Sequence, residues 1–378
     1  MRLLLVHPGA ELYGSDRVLL ETAAALIDSG VDAFVALPSP GPLADALRRV
    51  GCRVAVLPTF VLRKSLLTPA GIVSLPLRAV VALARSWRVL RRLRPDALYV
   101  STITLPMWLA AGRLSRTPTV AHVHEAERDV GRLVRRGLYF PLRLAGTVVA
   151  NSEFTREVIG STDASTARRA KVVHNGVAGP QTVIEPRQDA ADGPRLVYIG
   201  RLSPRKGTDL VIEATAELRR RGIPARAAIV GDVYEGYEWY RDELKQSSCR
   251  LGVTDAVSFS GFRQDIWPEL AANDILVVPS RLEESFGNAA VEGLLAGRAV
   301  IASDRPGLRE ATAGSGAILV PIDDATAIAD AAEGLWRNWP AARTRAMTDA
   351  DRAADTYSPS RYRTRIAEVL LAAARTRR

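Results

Sequence analysis

Glu284-Ser285-Phe286-Gly287-Asn288-Ala289-Ala290-Val291-Glu292 is the stretch on which the reading of this chain turns. Apolar runs flank it, Ile275-Leu276-Val277-Val278-Pro279 before and Ala299-Val300-Ile301-Ala302 after. The first run predicts a buried strand and Asn288 to Ala296 predicts a helix, with Gly297 where a left-handed C-terminal cap belongs. The unit is therefore strand, loop, helix, strand, with one acid in the loop and one in the helix. Gly287 lets a ligand approach the backbone, and the helix N-terminus presents free N–H groups to an anion. Carboxylates beside an anion site make little sense for phosphate alone. They suit hydroxyl groups on either side of a diphosphate, as in a nucleotide sugar.

The same alternation of apolar runs and amphipathic segments extends over the whole chain, the pattern of parallel sheets wound with helices. Strands are predicted at Leu3–Val6, Ala33–Leu37, Arg53–Leu57, Ala97–Val100, Thr119–Val123 and Thr147–Ala150 in the first half. They resume at Arg195–Ile199, Ala227–Val230, Val257–Ser260, Ile275–Val278, Ala299–Ala302 and Ala317–Val320. A polar interruption around Pro180–Pro194 reads as a linker, and 378 residues suit two domains. The expected organisation is a first doubly wound domain over 1–180, a linker over 181–194, a second over 195–356, and a terminal segment over 357–378. Ligands of such sheets sit at the carboxyl ends of the strands.

Four strand-end loops carry candidate chemistry. Gly200-Arg201-Leu202-Ser203-Pro204-Arg205-Lys206-Gly207 places two cations about a tight turn, Arg201 suited to bidentate phosphate contact and Lys206 to a movable charge. Neutralising a leaving diphosphate is the electrostatic task such a pair performs. Leu12-Tyr13-Gly14-Ser15-Asp16-Arg17 opens the first helix, where Gly14 offers backbone N–H to a phosphate; Ser15 or Asp16 as a helix cap is the alternative. It has neither the dinucleotide-binding nor the P-loop glycine spacing. His122-Val123-His124-Glu125 ends a strand with both histidines on one face, His124 nearest the ligand end and His122 reading as a core histidine. His7 and His174 complete no metal-ligand set with them, and no strand-end Asp-x-Asp occurs, so no metal is expected.

Taken together, Gly200-Arg201 with Lys206-Gly207, Gly231-Asp232, and Glu284-Ser285-Phe286-Gly287 with Glu292 resemble the donor site of retaining family 4 glycosyltransferases of the GT-B fold. Asn175-Gly176-Val177, His124-Glu125 and the Gly14 loop match that family's first domain. The resemblance implies two Rossmann-like α/β domains with an interdomain cleft, and a nucleotide-sugar donor held mostly by the second. It implies Arg201 and Lys206 on the diphosphate with Gly200, Asp232 and the backbone of Phe286, Gly287 and Asn288 nearby. Glu292 then meets the ribose, Glu284 the sugar ring, and His124 the reacting carbon. A terminal helix around Tyr357–Ala373 crosses back onto the first domain. The implied reaction is metal- and cofactor-free hexosyl transfer with retention to a hydroxyl acceptor, whether a lipid-linked glycan, a polysaccharide precursor or a small molecule. Ala178, Val233 and Ala299 depart from the family pattern at positions that remove no donor contact.

Charge separates the halves. Residues 1–180 hold 24 Lys+Arg against 13 Asp+Glu, whereas the remainder holds 27 against 28, and no acid occurs from Ala46 to Pro95. An anionic partner for the first half follows. Residues 70–94 combine Leu75, Leu77, Val80, Val81, Leu83, Trp87, Leu90 and Leu93 with six arginines, a basic amphipathic helix expected to split near Pro76 and to suit an anionic membrane surface; a core-packed helix with a solvated Arg face is the alternative. Exposed aromatics interleaved with the charge are missing, which argues against nucleic acid. Cys52 and Cys249 have no metal or redox spacing, and no run is long enough to span a bilayer, so a cytoplasmic protein at the inner membrane face is expected. A soluble-acceptor transferase, a GT-B sugar-nucleotide epimerase and a non-catalytic binding protein are the rival readings.

Overall fold

Runs of Val, Leu, Ile and Ala that are buried on both faces require helices above and below, and this is what closes both sheets of the chain. A computed structural model describes residues 1–12, 14–62 and 69–377; Tyr13 of the first loop and Arg63 and Lys64 of the acid-free stretch lie outside them. The first sheet comprises β1 (Arg2–Val6), β2 (Asp32–Leu37), β3 (Arg53–Val56), β4 (Ala97–Val100), β5 (Thr119–Val123), β6 (Thr147–Ala150) and β7 (Ala170–Val172). Its order is β3-β2-β1-β4-β5-β6-β7. The second comprises β8 (Arg195–Ile199), β9 (Arg226–Val230), β10 (Val257–Gly261), β11 (Ile275–Val278), β12 (Ala299–Ser303) and β13 (Ile318–Val320), in the order β10-β9-β8-β11-β12-β13. Their registered pairs are parallel. Each sheet reverses its winding once, between β1 and β4 and between β8 and β11. At those two switch points the strand ends diverge and leave room for a ligand.

The chain divides into two compact units, Met1–Gly176 with Pro359–Arg378, and Val177–Ser358. The terminal helix Pro359–Arg375 belongs to the first because its apolar stripe completes that core. Ile366, Leu370 and Ala374 are buried with Leu19 and Ala23 of the helix Gly14–Asp28. The Tyr362 hydroxyl lies 2.5 Å from that of Thr22, and Arg363 donates to Glu21 at 2.7 Å.

Three elements differ from the sequence expectation. The polar stretch 181–194 is docked on the second unit rather than strung as a linker: Arg187 binds the buried carboxylate of Asp274 and pairs with Asp192. The indoles of Trp336 and Trp339 donate to the carbonyls of Ala190 and Arg187 at 2.7 and 2.9 Å. Arg187 here satisfies a buried carboxylate and the carbonyls of the stretch accept from indoles, which composition does not distinguish from solvated groups. The helix Pro69–Leu93 runs unbroken through Pro76, where a split was expected. Pro76 removes one backbone bond near the exposed start, while Leu83, Val89, Leu90 and Leu93 further on pack into the core and hold the helix. The strand β7 was not anticipated, because three residues with Lys171 at their centre carry no periodic signal. Among the described residues, no helix is long and apolar enough to cross a membrane.

Candidate functional site

The second unit gathers charge at its switch point through backbone collisions that glycine alone permits. At Gly207, with φ of +67°, a Cβ would run into the Pro279 carbonyl oxygen, so the loop after β8 lies directly on the loop after β11. Arg281 N–H donates to the Arg205 carbonyl at 2.9 Å across the same seam. At Gly231, φ +138°, a Cβ would strike the Gly200 carbonyl oxygen, which ties the loop after β9 to the first. Leu202 N–H donates to the Asp232 carbonyl at 3.0 Å. Three strand-end loops are thus held in one layer.

That layer brings Lys206 to Glu284. Lys206 Nζ lies 2.5 Å from Glu284 Oε1, and the Ser280 hydroxyl donates to the same oxygen at 2.7 Å. Burial alone would raise the Glu284 carboxyl, but the attraction and hydrogen bonds of Lys206, with Ser280 and Arg205, hold it below the usual carboxylate value. Arg201 is fixed differently. Its guanidinium carbon stands 3.2 Å from the ring centroid of Tyr234, which comes from the loop after β9. The Tyr198 hydroxyl donates to the Arg201 carbonyl at 2.7 Å, and burial raises that phenol. Beneath the turn, Arg281 binds both carboxylate oxygens of Asp209 at 2.7 Å. Asp232 accepts from Val233 N–H at 2.8 Å and from Arg241 at 3.2 Å.

Beside the ion pair the helix Asn288–Leu295 begins, with Gly287 at φ +108° as its N-cap. Gly297, φ +68°, closes it, and Arg298 N–H donates back to the Gly293 carbonyl at 2.9 Å. Phe286 is a core residue, edge-on to Tyr357 at 5.4 Å. Glu292 is half-buried in the second turn of the helix. Gly307 lacks the Cβ that would collide with the Glu284 carbonyl oxygen, so the segment after β12 supports this loop from below.

The switch point of the first unit carries a different chemistry. His7 follows β1 and is buried, with Nδ1 2.5 Å from the Ser101 hydroxyl and Nε2 2.6 Å from Asp16 Oδ1. Ser101 follows β4, so the imidazole bridges the reversal itself. Asp16 is thereby engaged by a side chain, whereas sequence reading offered it as a helix cap. Gly14 is the first residue of that helix. After β5, His122 and His124 share a face with ring centroids 4.0 Å apart. His122 Nδ1 lies 2.8 Å from the Tyr99 hydroxyl. Both ring nitrogens of His124 are buried without a hydrogen-bond partner among the described residues. Burial, and then the nearby His7, push its pKa down to about 3. Glu125 accepts from the Thr102 hydroxyl and from the N–H groups of Ile103 and His124. Burial outweighs these bonds and raises its pKa to about 7.

Of the residues singled out by sequence, Gly200, Arg201, Lys206, Asp232, Glu284, Phe286, Gly287, Asn288 and Glu292 stand on adjoining loops of one unit. His124 and Gly14 stand in the other. Sequence reasoning passed over Tyr234, Ser280 and Ser101, and weighed His7 only as a metal ligand. Each stands just past a strand end, which was the available signal, but none lies in a spaced motif.

Comparison with known proteins gives this geometry its context. Residues 13–178 match the Glycosyltransferase Family 4 profile and residues 193–338 that of Glycosyl transferases group 1. A lipopolysaccharide 1,2-N-acetylglucosaminetransferase of Salmonella typhimurium is 33% identical over 126 residues, 32% of this chain and 33% of that protein. A GDP-mannose-dependent alpha-(1-6)-phosphatidylinositol dimannoside mannosyltransferase of Mycobacterium tuberculosis is 33% identical over 256 residues, 61% of this chain and 62% of that one. The chain thus spans about a third of the length of the first relative and under two thirds of the second. In fold, it superposes on the crystal structure of Anabaena HepE in complex with UDP and glucose with a TM-score of 0.82 at 24% identity, over 98% of this chain and 99% of that one. With both halves matched and the two parallel sheets of that architecture present, the chain belongs to the family 4 glycosyltransferases of the GT-B fold.

Proposed function

We propose that the protein transfers a hexosyl unit from a nucleotide-sugar donor to a hydroxyl acceptor, with retention and without a metal. The observation that carries the reading is the Lys206–Glu284 pair, set across two loops at the switch point of the second sheet beside the helix that begins at Asn288. A cation, a carboxylate and a helix N-terminus in one layer suit a diphosphate flanked by hydroxyls. In this reading the diphosphate competes with Glu284 for Lys206, and Arg201 is presented by Tyr234 from the other side. Glu284, once released, accepts from the sugar hydroxyls, and Glu292 from the ribose. His124, neutral in its buried setting, contacts the sugar without adding charge at the reacting carbon. The leaving phosphate takes the proton of the acceptor hydroxyl, which attacks from the face that the diphosphate leaves. Among the described residues, no group of three or more His, Cys, Asp or Glu side chains is placed to hold a metal ion.

The acceptor is proposed to be lipid-linked and met at an anionic, cytoplasmic membrane face. Leu77 and Val80 are 70% and 64% exposed on the helix Pro69–Leu93, which also carries Arg78, Trp87 and Arg91. Exposed aliphatics among arginines on one helix suit the interface of an anionic bilayer. GDP-mannose and UDP-glucose enter the donor panel from the names of a relative and of a HepE complex, and UDP-N-acetylglucosamine is added as a hexosaminyl donor. Incubation with each, followed by detection of nucleoside diphosphate, is expected to show release with one donor and to accelerate with a lipid-linked acceptor. A lack of release from every donor, or an epimerised sugar nucleotide as the product, overturns the reading. Flotation with anionic liposomes tests the membrane part separately, and no binding at low salt removes it.

A further inference from the structure

Neither switch point contributes to a cavity on the first unit, beside the helix Pro69–Leu93. Leu57, Pro58 and Phe60 of the loop after β3 form one wall, and Ala82 and Val89 of the helix Pro69–Leu93 form the other, with Trp108 at the base. The volume is about 240 Å³. That is below the ~300–1,000 Å³ of pockets that enclose a whole small ligand, so a cavity of this size takes a segment of one. Leu57, Phe60, Ala82 and Val89 are only half-buried, whereas the core beneath them is closed.

Arg85, Arg88 and Arg92 line the same cavity from exposed positions on the helix. Their i, i+3, i+7 spacing sets them on one side, where like charges repel. No acid lies between Ala46 and Pro95 to relieve them, and none of the three has a hydrogen bond or ion pair with another described residue. Uncompensated guanidiniums around an apolar recess match one ligand chemistry, an anionic head joined to a hydrocarbon chain.

We propose that this cavity binds a single amphiphile, an alkyl or polyisoprenyl phosphate, with the first stretch of its chain against Phe60, Val89 and Trp108 and its phosphate on Arg85, Arg88 and Arg92. The site differs from a membrane-contact face because it is filled by one molecule in the absence of a bilayer. It stands independently of the transferase reading, though it gives the first unit a place for a lipid-linked substrate.

Isothermal titration of the full chain with decyl phosphate, below its micellar concentration, tests this. One-to-one binding is expected. Butyl phosphate binds more weakly, by about fourfold for each methylene lost from the cavity, and inorganic phosphate more weakly still. The double variant Arg88→Gln/Arg92→Gln weakens decyl phosphate by about tenfold or more while leaving decanol unchanged. Ala82→Phe fills the recess and removes the advantage of decyl over butyl phosphate. Should its melting show a folding defect, Thr59→Phe blocks the cavity from the loop side. Undiminished decyl phosphate binding in a folded cavity-filled variant overturns the proposal, and so does binding to anionic vesicles with none to the monomeric amphiphile. Donor binding measured on the unsubstituted protein separates the two readings: no amphiphile binding with intact sugar-nucleotide binding sinks the cavity alone, and amphiphile binding with no sugar-nucleotide binding sinks the transferase alone.

Discussion

The two switch points share a topology and oppose each other in chemistry. Between β8 and β11 the facing loops present Arg201 and Lys206 with the Glu284 carboxylate. Between β1 and β4 the corresponding place holds His7, Ser101 and Asp16, buried and bonded to each other, with His124 kept neutral nearby. In the proposed function the first arrangement takes a charged ligand that replaces an existing ion pair, and the second, which is buried, meets neutral hydroxyls. Fold alone therefore assigns no role to a switch point, and the side chains that bridge it do.

The largest expected effect breaks the charged side of this contrast. The hypothesis that Lys206 acts on the diphosphate in the transition state predicts that Lys206→Ala lowers turnover about a hundred- to a thousandfold, with donor affinity changed far less. Steady-state rates set against donor titration measure this, and unchanged turnover sinks the role. Next comes the backbone seam that positions the pair. Gly231→Ala, which drives a Cβ into the Gly200 carbonyl, is expected to destabilise by about 2–4 kcal/mol. Gly236→Ala, also at positive φ but with open space around its Cβ, is expected to lose only about 1 kcal/mol. Equal melting shifts in the two variants would show that the seam has no special weight.

On the neutral side, removing one partner of the buried relay leaves a polar atom without its bond. Ser101→Ala is predicted to cost about 1–3 kcal/mol in denaturant unfolding. A loss near zero would mean that His7 finds another partner. The most diagnostic effect is confined to pH. His124, with a folded pKa near 3 against an ordinary 6.5, contributes stability that is present above the ordinary value and lost as pH falls through about 3. Glu125 runs the other way: its raised pKa contributes stability that is full below about 4.5 and lost as pH rises through about 7. Glu125→Gln should therefore flatten the alkaline limb of the stability profile and His124→Gln the acid limb. Limbs that do not respond place the titration elsewhere.

Most of the frame was legible in sequence because it rests on local periodicity. The strands β1 to β6 and β8 to β13 announce themselves as apolar runs, while β7, with three residues, is recruited by pairing with β6. Gly297 was readable as the end of a helix because a left-handed cap requires a backbone that glycine adopts most easily, whereas Gly287, read only as room for a ligand, is that helix's N-cap. The polar stretch 181–194 was misread for a physical reason. A polar residue facing solvent and one satisfying a buried carboxylate look alike until Asp274 is seen beneath Arg187. Arg201 and Lys206 were legible as cations at a turn, but Tyr234, whose ring receives the guanidinium, lay on another strand's loop.

What the sequence determined by itself is the set of parts: parallel sheets wound with helices, a cationic turn, a loop and helix bearing Glu284 and Glu292, and a basic first half. Tertiary structure decided which parts meet. Lys206 and Glu284 are 78 residues apart and His7 and Ser101 are 94 apart, and each pair meets across the place where its sheet reverses. Strand order arises from crossover packing over the whole unit, and local residue patterns hold no record of it. The ion pair, the buried relay and the arginine-rimmed cavity all follow from that order.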